Sequence, residues 1–399
     1  MNIYIHIPFC KSRCIYCGFY STTALELRQR YVDAVCREME LRKDYFSASV
    51  PVDSIYLGGG TPSQLTPDQL GQLFDSIFSV YGRSVPFPFS VGGRSMSDSN
   101  NMEITTECNP DDVTADYASA LSQLPVNRVS MGVQTFDDAR LRFLHRRHTA
   151  MQVPIAVQRL RDAGILNISI DLMYGFPGQT LADWQRDIEN ALRLGVEHLS
   201  AYCLMVEEGT PLCQLLMARS AEGSLLSKGN KNGQWSMDEE LELQMYELLI
   251  DRLKAAGYEH YEISNFAKPG FRSRHNSSYW TDVPYIGLGA AAHSYDGHSR
   301  QWNVSDIHKY MEGIERGTLM LEREELDDDT RYNDRLTVAL RTCEGLWLGE
   351  LSSRHADYLL TQARKYIEQG LLLLTDDHLR LTRRGLFVSD MIMSDLMWV

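Results

Sequence analysis

Strand-like and helix-like patterns alternate along the first two hundred residues, and this alternation constrains the fold more than any other feature. Residues 3–7 are rich in β-branched side chains, and Leu27, Tyr31, Val35 and Met39 then recur every four residues, as on one face of a helix. Further strands are predicted at 54–57, 102–106, 127–133, 165–173 and 198–205, and helices at 69–80 and 181–194. Repeated βα units predict an α/β fold with a parallel sheet, either doubly wound or closed as a full or partial barrel.

The chain is long enough for one large domain and a smaller one, each with its own core. It has 399 residues, of which 44% are hydrophobic. We expect a core barrel in residues 1–235, an extension of that barrel in 236–325 and a small C-terminal domain in 326–399. Segments 82–101 and 218–234 are rich in small and polar residues and are predicted to be loop insertions.

The end of the chain predicts a small α+β domain with a winged-helix-like arrangement. The strongly acidic stretch 322–329 is interpreted as the linker to this domain. Helical patterns then precede two short strands, at 371–374 and 379–381, on either side of Asp376 and Asp377. Few basic residues lie on the predicted hairpin, which favours a docking domain over a DNA-binding one.

Charge and cysteine usage limit the partners and the compartment. The net charge of −14 disfavours nucleic acid as a partner, because an acidic surface repels phosphates. No apolar run reaches the roughly 18 residues that span a bilayer, and the first residues lack the pattern of a signal peptide. Three of the eight cysteines are clustered, as in a metal site of a reducing compartment, and the scattered ones are interpreted as core residues. We therefore expect a cytoplasmic protein, with peripheral membrane association as a further option.

Cys10, Cys14 and Cys17 form a C-x3-C-x2-C motif directly after the first predicted strand. Thiolates this close together suit one polynuclear centre, and three of them leave one iron of a [4Fe–4S] cluster without a protein ligand. An open coordination position is where a metal centre takes part in chemistry. The alternative is a structural zinc, which needs four ligands; His6 is the fourth candidate, but it lies within the strand.

This motif, at the top of the first strand of a βα fold, resembles that of radical SAM enzymes. More narrowly, the segment Tyr4 to Cys10, YIHIPFC, resembles the start of the group that contains the oxygen-independent coproporphyrinogen III oxidase and the heme chaperone HemW. The resemblance implies a partial (β/α) barrel of radical SAM type. It also implies a [4Fe–4S] cluster whose open iron is chelated by S-adenosylmethionine (SAM), from which one electron releases a 5′-deoxyadenosyl radical.

A glycine-rich turn after the second strand matches the GGGTP element of the same family. Its members Gly59, Gly60 and Thr61 are expected to hold the amino-acid part of SAM, because bare backbone approaches a ligand closely. Taken alone, this turn is equally well a tight connection between a strand and a helix.

The resemblance carries further cofactor-binding roles over to single positions. Glu107, Gln134 and Asp171 are expected at the ends of the third, fourth and fifth strands, where polar residues of parallel sheets face the ligand crevice, and Arg146 in the following helical segment. Tyr4 and Met205 are similar candidates. In the family, Gln134, Arg146 and Asp171 belong to the neighbourhood of a second SAM, so one or two SAM molecules remain open. The alternatives are a helix cap or loop salt bridge for the acids and a solvated charge for the arginine.

Two departures put coproporphyrinogen oxidase activity in doubt. The oxidase motif continues with a further cysteine two positions after the triad, where this chain has Phe19. The oxidase also has a long segment before its first strand, whereas this chain reaches Tyr4 almost at once. Whether the chain is an enzyme is therefore left open, and no catalytic residue is assigned.

Residues 275–280 match the H-N-x-x-Y-W motif of the heme chaperone group. The resemblance makes His275 the candidate heme ligand, with Tyr279 and Trp280 beside the porphyrin. The heme propionates would then pair with Arg272 or Arg274. His293 is a second candidate ligand of the iron. The alternative is a polar loop followed by an aromatic packing pair.

These features together predict a HemW-like heme chaperone that binds a [4Fe–4S] cluster, SAM and heme. Its expected partners are a reductant protein for the cluster and heme-acceptor proteins, with respiratory enzymes at the membrane among the candidates. Monomer and dimer are both compatible with the sequence. The alternatives are a coproporphyrinogen oxidase or another radical SAM enzyme of porphyrin metabolism, and a docking protein with a vestigial cluster.

Overall fold

The computed structural model describes residues 1–47, 50–82, 102–221 and 239–399. The strands are β1 (Asn2–Ile7), β2 (Ser54–Gly59), β3 (Glu103–Cys108), β4 (Arg128–Gln134), β5 (Asn167–Tyr174), β6 (His198–Cys203), β7 (Glu259–Glu262), β8 (Asn265–Ala267), β9 (Tyr285–Leu288), β10 (His293–Tyr295), β11 (Ser299–Asn303), β12 (Leu321–Glu325), β13 (Leu346–Trp347), β14 (Leu372–Thr375) and β15 (His378–Leu381). The helices are α1 (Arg28–Leu41), α2 (Pro67–Tyr81), α3 (Ala115–Leu121), α4 (Asp138–Phe143), α5 (Gln152–Asp162), α6 (Leu181–Leu194), α7 (Pro211–Ala221), α8 (Glu239–Ala255), α9 (Arg274–Tyr279), α10 (Ile307–Glu315), α11 (Asp328–Ala339), α12 (Ser353–Glu368), α13 (Arg383–Leu386) and α14 (Ser389–Leu396). None of the helices in these ranges is long and apolar enough to cross a bilayer.

A run of parallel strands forms the centre of the main sheet. Their spatial order is β9-β1-β2-β3-β4-β5-β6, and β1 to β6 follow one another in chain order. Antiparallel strands continue the sheet at both sides, β10, β11 and β12 beyond β9, and β8 and β7 beyond β6. Helices connect the consecutive parallel strands, as parallel pairing requires. The predicted α/β fold with a parallel sheet is confirmed.

The inner face of the parallel strands surrounds one cavity. Arg128, Ser130, Gly132 and Gln134 alternate along β4 and all line it, together with residues of β2, β3, β5 and β6. Side chains of five neighbouring strands meet around one cavity only if the sheet curves. The sheet order ends at β12 and β7 and is not closed into a ring within the described ranges, so the barrel is partial.

The outer face of the sheet packs against helices to form the main core. Ile3, Ile5 and the α1 residues Tyr31, Val35 and Met39 are fully buried in it. Fully burying an aliphatic side chain of this kind stabilises the fold by roughly 1.5–3 kcal/mol. The predicted four-residue spacing on α1 is thus a buried helix face, although α1 begins one residue after Leu27, which lies in a short 3₁₀ turn.

The last part of the chain has a hydrophobic core of its own. Helices α11, α12 and α14 and a three-stranded antiparallel sheet, ordered β13-β15-β14, enclose this core. Asp376 and Asp377 have φ values of +52° and +59°, as a two-residue hairpin turn requires, and aspartate tolerates this region better than most residues. The predicted pair of strands around these aspartates is therefore present, and β13, α13 and α14 were not predicted.

Several boundaries differ from the prediction or lie outside the description. The acidic stretch 322–329 is not a linker: its first part is the exposed edge strand β12, where carboxylates pair with Arg300 and Arg323, and its second part begins α11. The predicted loop insertion 218–234 starts too early in the sequence, because α7 continues to Ala221. The rest of that segment and nearly all of 82–101 lie outside the described residues. The limits of the three domains stay a prediction.

Candidate cluster and cofactor site

The cavity inside the barrel has a volume of about 430 Å³ and opens at the carboxyl ends of the parallel strands. Cys10, Cys14 and Cys17 lie in the loop after β1 and all line this cavity as free thiols. The position is the one where ligands bind in parallel α/β folds, outside the carboxyl ends of the strands. The structure thus brings the three predicted cluster ligands to the mouth of a ligand-sized cavity.

The surroundings of the triad fit an iron–sulfur cluster. The Oγ1 of Thr61 lies 3.5 Å from the Cys10 sulfur, and the Nη1 of Arg146 donates to the Cys14 sulfur at 3.6 Å. Hydrogen-bond donors and a guanidinium beside the sulfurs stabilise thiolates, the form that binds metal. Burial raises the pKa of the Cys10 and Cys17 thiols, so their deprotonation needs the positive charge that a cluster supplies.

The zinc alternative finds no fourth ligand in His6. The His6 Nδ1 lies 3.1 Å from the Tyr4 hydroxyl and its Nε2 lies 3.0 Å from the Tyr20 carbonyl oxygen, so both ring nitrogens have protein partners. Across the described ranges, no three His, Cys, Asp or Glu side chains converge on a point where one metal ion would sit. In a cluster each thiolate binds a different iron, so its cysteines stand further apart.

The scattered cysteines are not all core residues. Cys108 and Cys213 are buried, as predicted, and Cys36 and Cys203 are partly buried. Cys343, in contrast, is exposed and accepts a hydrogen bond from Arg272, because it lies in the turn after α11 rather than on a packed helix face.

The glycine-rich turn allows the end of β2 to pack closely against His6 and Pro8. Gly59 has a φ of +108°, and a Cβ atom there would lie 2.4 Å from the His6 ring. A Cβ on Gly60 would lie 2.7 Å from the backbone of Pro8. The glycines therefore let the end of β2 approach the start of the cysteine loop. This approach places Thr61 beside Cys10 on the cavity wall.

Two carboxylates face the cavity. Glu107, on β3, accepts hydrogen bonds from the Tyr56 hydroxyl at 2.8 Å and the Gly59 amide at 3.2 Å. Asp171 lies in the middle of β5 rather than at its end, because β5 continues to Tyr174, and it lies 3.5 Å from the Ser130 hydroxyl. Burial raises the pKa of Glu107 to about 7 and that of Asp171 to about 6. Neither carboxylate caps a helix or forms an ion pair with the described residues.

Gln134 and Arg146 complete the upper wall. Gln134 ends β4 with a φ of +69°, where the pairing of β4 with β5 is irregular. Arg146 is not helical as predicted but lies between α4 and α5, since α4 ends at Phe143. Its guanidinium donates to the Gly132 carbonyl oxygen and, at 2.6 Å, to the Asn109 side chain. It is therefore a fixed charge of the cavity wall and not a solvated one.

Arg128 is a cavity residue that the sequence analysis missed. Its side chain is only 1% exposed, it lines the cavity, and its Nε and Nη1 have no hydrogen-bond partner among the described residues. The nearest carboxylate is Glu103, 4.0 Å from Nε. Unpaired buried donors of this kind are usually satisfied by a ligand or water. No local pattern distinguishes Arg128, because β4 also carries the polar residues Ser130 and Gln134.

His275 supports this cavity from behind. Its ring stacks on Tyr56 at 5.0 Å, its Nδ1 lies 2.8 Å from the Ser54 hydroxyl and its Nε2 lies 3.0 Å from the Tyr279 hydroxyl. Tyr4 stacks on the same Tyr56 ring at 6.2 Å. Burial lowers the pKa of His275 to about 3, so the ring is neutral. With both nitrogens bonded, His275 offers none to a heme iron as the structure stands, and the predicted ligand role would require breaking one of these bonds.

The other predicted heme contacts are dispersed. Arg272 pairs with Glu259 and Glu344, and Arg274, which opens α9, has a partner of its own. His293 is exposed on β10 and stacks on Trp302. These residues therefore do not form one site together with His275. Met205 lies on the rim of the cluster cavity and is 71% exposed, as is Phe19 at 70%.

Helix α9 separates the cluster cavity from a second one. Asn276 lines the cluster cavity, whereas Tyr279 and Trp280 line a cleft of about 670 Å³. The opposite wall of this cleft comes from α11 and α12. The H-N-x-x-Y-W motif, residues 275–280, thus contributes side chains to both cavities. We call this segment between the two cavities the α9 wall.

Family models match two parts of the chain. Residues 4–191 match the radical SAM superfamily, and residues 326–388 match the HemN C-terminal domain. Membership in the first family implies a [4Fe–4S] cluster and SAM. The solved structure of the coproporphyrinogen III oxidase HemN from Escherichia coli, a radical SAM enzyme, superposes with a TM-score of 0.79 at 21% identity, covering 99% of this chain and 89% of that one. This likeness supports the fold.

Curated relatives extend over almost the whole chain. The chain is 34% identical over 391 residues to the heme chaperone HemW of Bacillus subtilis (strain 168), covering 96% of each protein. It is 32% identical over 393 residues to the heme chaperone HemW of Lactococcus lactis subsp. lactis (strain IL1403), covering 96% of this chain and 94% of that one. The chain therefore belongs to the radical SAM superfamily and, within it, to the HemW heme chaperone family.

Proposed function

We propose that this chain binds heme and passes it to acceptor proteins, as the name of its curated relatives describes. The proposal rests mainly on the α9 wall. Asn276 of this segment lines the cluster cavity, whereas Tyr279 and Trp280 line a cleft with aromatic walls. Aromatic side chains around a cleft suit a flat apolar ligand such as a porphyrin.

We infer that Cys10, Cys14 and Cys17 bind the [4Fe–4S] cluster and that the cavity below them holds SAM. The cluster supplies one-electron chemistry at the sulfonium of SAM. Glu107 is suited to accept hydrogen bonds from the amino group of SAM, since its carboxylate already accepts from neutral donors. The remaining residues proposed to line the SAM site are Gly59, Gly60, Thr61, Gln134, Arg146 and Asp171. Tyr4 does not line the cavity itself, and we propose that it supports the site through its stacking on Tyr56.

The proposed function is tested by anaerobic reconstitution followed by heme titration. We expect about four irons per chain bound through the triad and saturable uptake of one heme, measured from the absorption of bound heme. A parallel titration of the reconstituted protein with SAM serves as the control for a folded cavity. Reconstituted protein that binds SAM but takes up no heme would contradict the chaperone proposal.

The same preparation separates the chaperone from the oxidase. Phe19, at the position of the extra cysteine of the oxidase motif, is on the exposed cavity rim and supplies no thiol there. We expect no protoporphyrinogen IX when the protein is incubated with reductant, SAM and coproporphyrinogen III. Formation of that product would identify an oxidase instead.

Transfer to acceptors requires a second assay. Heme-loaded protein is mixed with an apo form of a heme protein, and movement of the heme is measured after the two are separated. We expect the loaded chain to lose heme to the acceptor faster than buffer alone removes it. Equal rates would limit the function to heme binding.

A further inference from the structure

We propose that heme binds in the cleft between α9 and the C-terminal part of the chain, with His355 as the iron ligand and Arg331 as partner of a propionate. The inference rests on the proposed heme function and assigns its site. The cleft is formed by the end of α9 and by β9–β11 on one side, and by α11 and α12 on the other. Its volume of about 670 Å³ lies within the roughly 300–1,000 Å³ of typical small-molecule sites.

Aromatic rings line both sides of this cleft. Tyr279 meets Tyr285 edge to face at 4.8 Å on the barrel side, and Tyr332 stacks on His355 at 4.7 Å on the other side. Trp280 also lines the cleft, and its indole Nε1 is buried without a hydrogen-bond partner among the described residues. A flat aromatic ligand between these walls would bury ring surface against both of them.

His355 has the hydrogen bonding of a metal-binding histidine. Its Nε2 lies 2.8 Å from a carboxylate oxygen of Asp329, and its Nδ1 forms no hydrogen bond within the described ranges. Histidines that bind metals usually donate one ring N–H to a carboxylate, which makes the other nitrogen a stronger ligand. His275 lacks this arrangement, because both of its nitrogens are bonded to hydroxyl groups.

Arg331 is the cation of the cleft that has no ion-pair partner in the described part of the chain. The other two arginines of the cleft form ion pairs within the protein. Arg335 pairs with Asp282 and Glu350, and Arg300 pairs with Glu324 and Asp334. These two arginines thus pair with three of the four carboxylates that line the cleft, and the fourth, Asp328, lies in the first turn of α11. A carboxylate of the ligand would therefore find its partner in Arg331.

The test is a heme titration of the reconstituted protein and of three variants. We expect His355→Ala to weaken heme binding by at least about tenfold and to change the absorption spectrum of the ferric heme, with recovery when imidazole is added. We expect Arg331→Gln, a half-buried position, to weaken binding about fivefold. His378→Ala, at a half-buried histidine outside the cleft, is the matched control and should leave binding unchanged.

The outcomes separate this site from the function itself. If the wild-type protein takes up no heme, the proposed function fails and the site with it. If the wild-type protein binds heme and His355→Ala binds it with the same affinity and spectrum, the cleft is the wrong site and the function stands. His355→Ala could unfold the protein because the His355 ring is packed. In that case Arg331→Gln tests the site: fivefold weaker heme binding supports the cleft as the heme site, and unchanged binding contradicts it.

Discussion

The two cavities on either side of the α9 wall are built in different ways. The cluster cavity is enclosed by neighbouring strands of one sheet, and contacts such as Tyr56 with Glu107 fix its side chains. The cleft joins two segments that are far apart in the chain, and partly exposed ion pairs such as Arg335 with Asp282 connect them. Exposed ion pairs contribute only about 0–1 kcal/mol each, so these contacts hold the walls of the cleft less firmly than buried hydrogen bonds hold those of the cluster cavity.

The difference matches what each cavity is proposed to hold. A cluster with SAM needs side chains held in place, because its chemistry depends on orientation. A heme that is passed on must leave again, and walls joined by exposed contacts permit this. We therefore expect variants on the two sides of α9 to affect different ligands.

The largest expected effect is the loss of the cluster from Cys14→Ala. The substitution removes one of the three protein ligands of the cluster. We therefore expect the iron content to fall from about four per chain to near zero after desalting. Iron analysis and the visible absorption of the cluster measure this. Cys36→Ala is the matched control, since Cys36 lies on α1 away from the cavity. Full iron retention in Cys14→Ala would show that the triad is not the cluster site.

Glu107→Gln should weaken SAM binding by roughly 10- to 100-fold, because a charge-assisted hydrogen bond is lost. Equilibrium binding of SAM to the reconstituted protein measures the change, and the exposed Glu26→Gln is the control. Heme uptake should stay within about twofold of wild type, as expected for a change on one side of the wall. A parallel loss of heme binding would break the separation of the two sites.

The pH dependence of SAM binding should follow the same carboxylate. Burial raises the pKa of Glu107 to about 7, so the acceptor form is present above that pH and is lost as the pH falls through it. If the ionised form binds SAM, affinity should fall about tenfold per pH unit below about 7 and level off above it. Asp171, with a pKa of about 6, adds to the loss at lower pH. In Glu107→Gln the step near pH 7 should disappear, and its persistence would assign it to another group.

The smallest effect is expected for His275→Ala. The ring supports Tyr56 by stacking, and such pairs contribute about 0.5–1.5 kcal/mol, so SAM affinity should drop about two- to tenfold. Heme affinity should change less. The exposed His298→Ala serves as the control. Intact SAM binding with abolished heme uptake would instead support the sequence-based prediction that His275 binds the iron.

Local patterns predicted much of the fold and of the cluster cavity. The cysteine triad follows β1 and the glycine turn ends β2, so both positions depend only on neighbouring residues. Periodicity identified the buried face of α1 and the paired strands around Asp376 and Asp377 in the same way.

The rest depends on distant contacts. Nothing in the sequence around Arg128 indicates that its guanidinium lies inside a barrel, and the position of Arg146 depends on where α4 ends. The cleft brings Tyr279 together with Arg331 and His355, which are separated from it by more than fifty residues, so neither local pattern nor motif signals it. The motif predicts a heme role for His275, but it does not indicate the hydrogen bond between this ring and Ser54 on β2.

In this proposal, α9 separates two sites that bind their ligands independently. The decisive experiment is a heme titration of Cys14→Ala, which is expected to lack the cluster, alongside the wild-type protein. We expect the same heme affinity and the same spectrum for both proteins, because the cleft lies on the other side of the α9 wall. Loss of heme binding together with the cluster would contradict this proposal and place the heme in the cluster cavity.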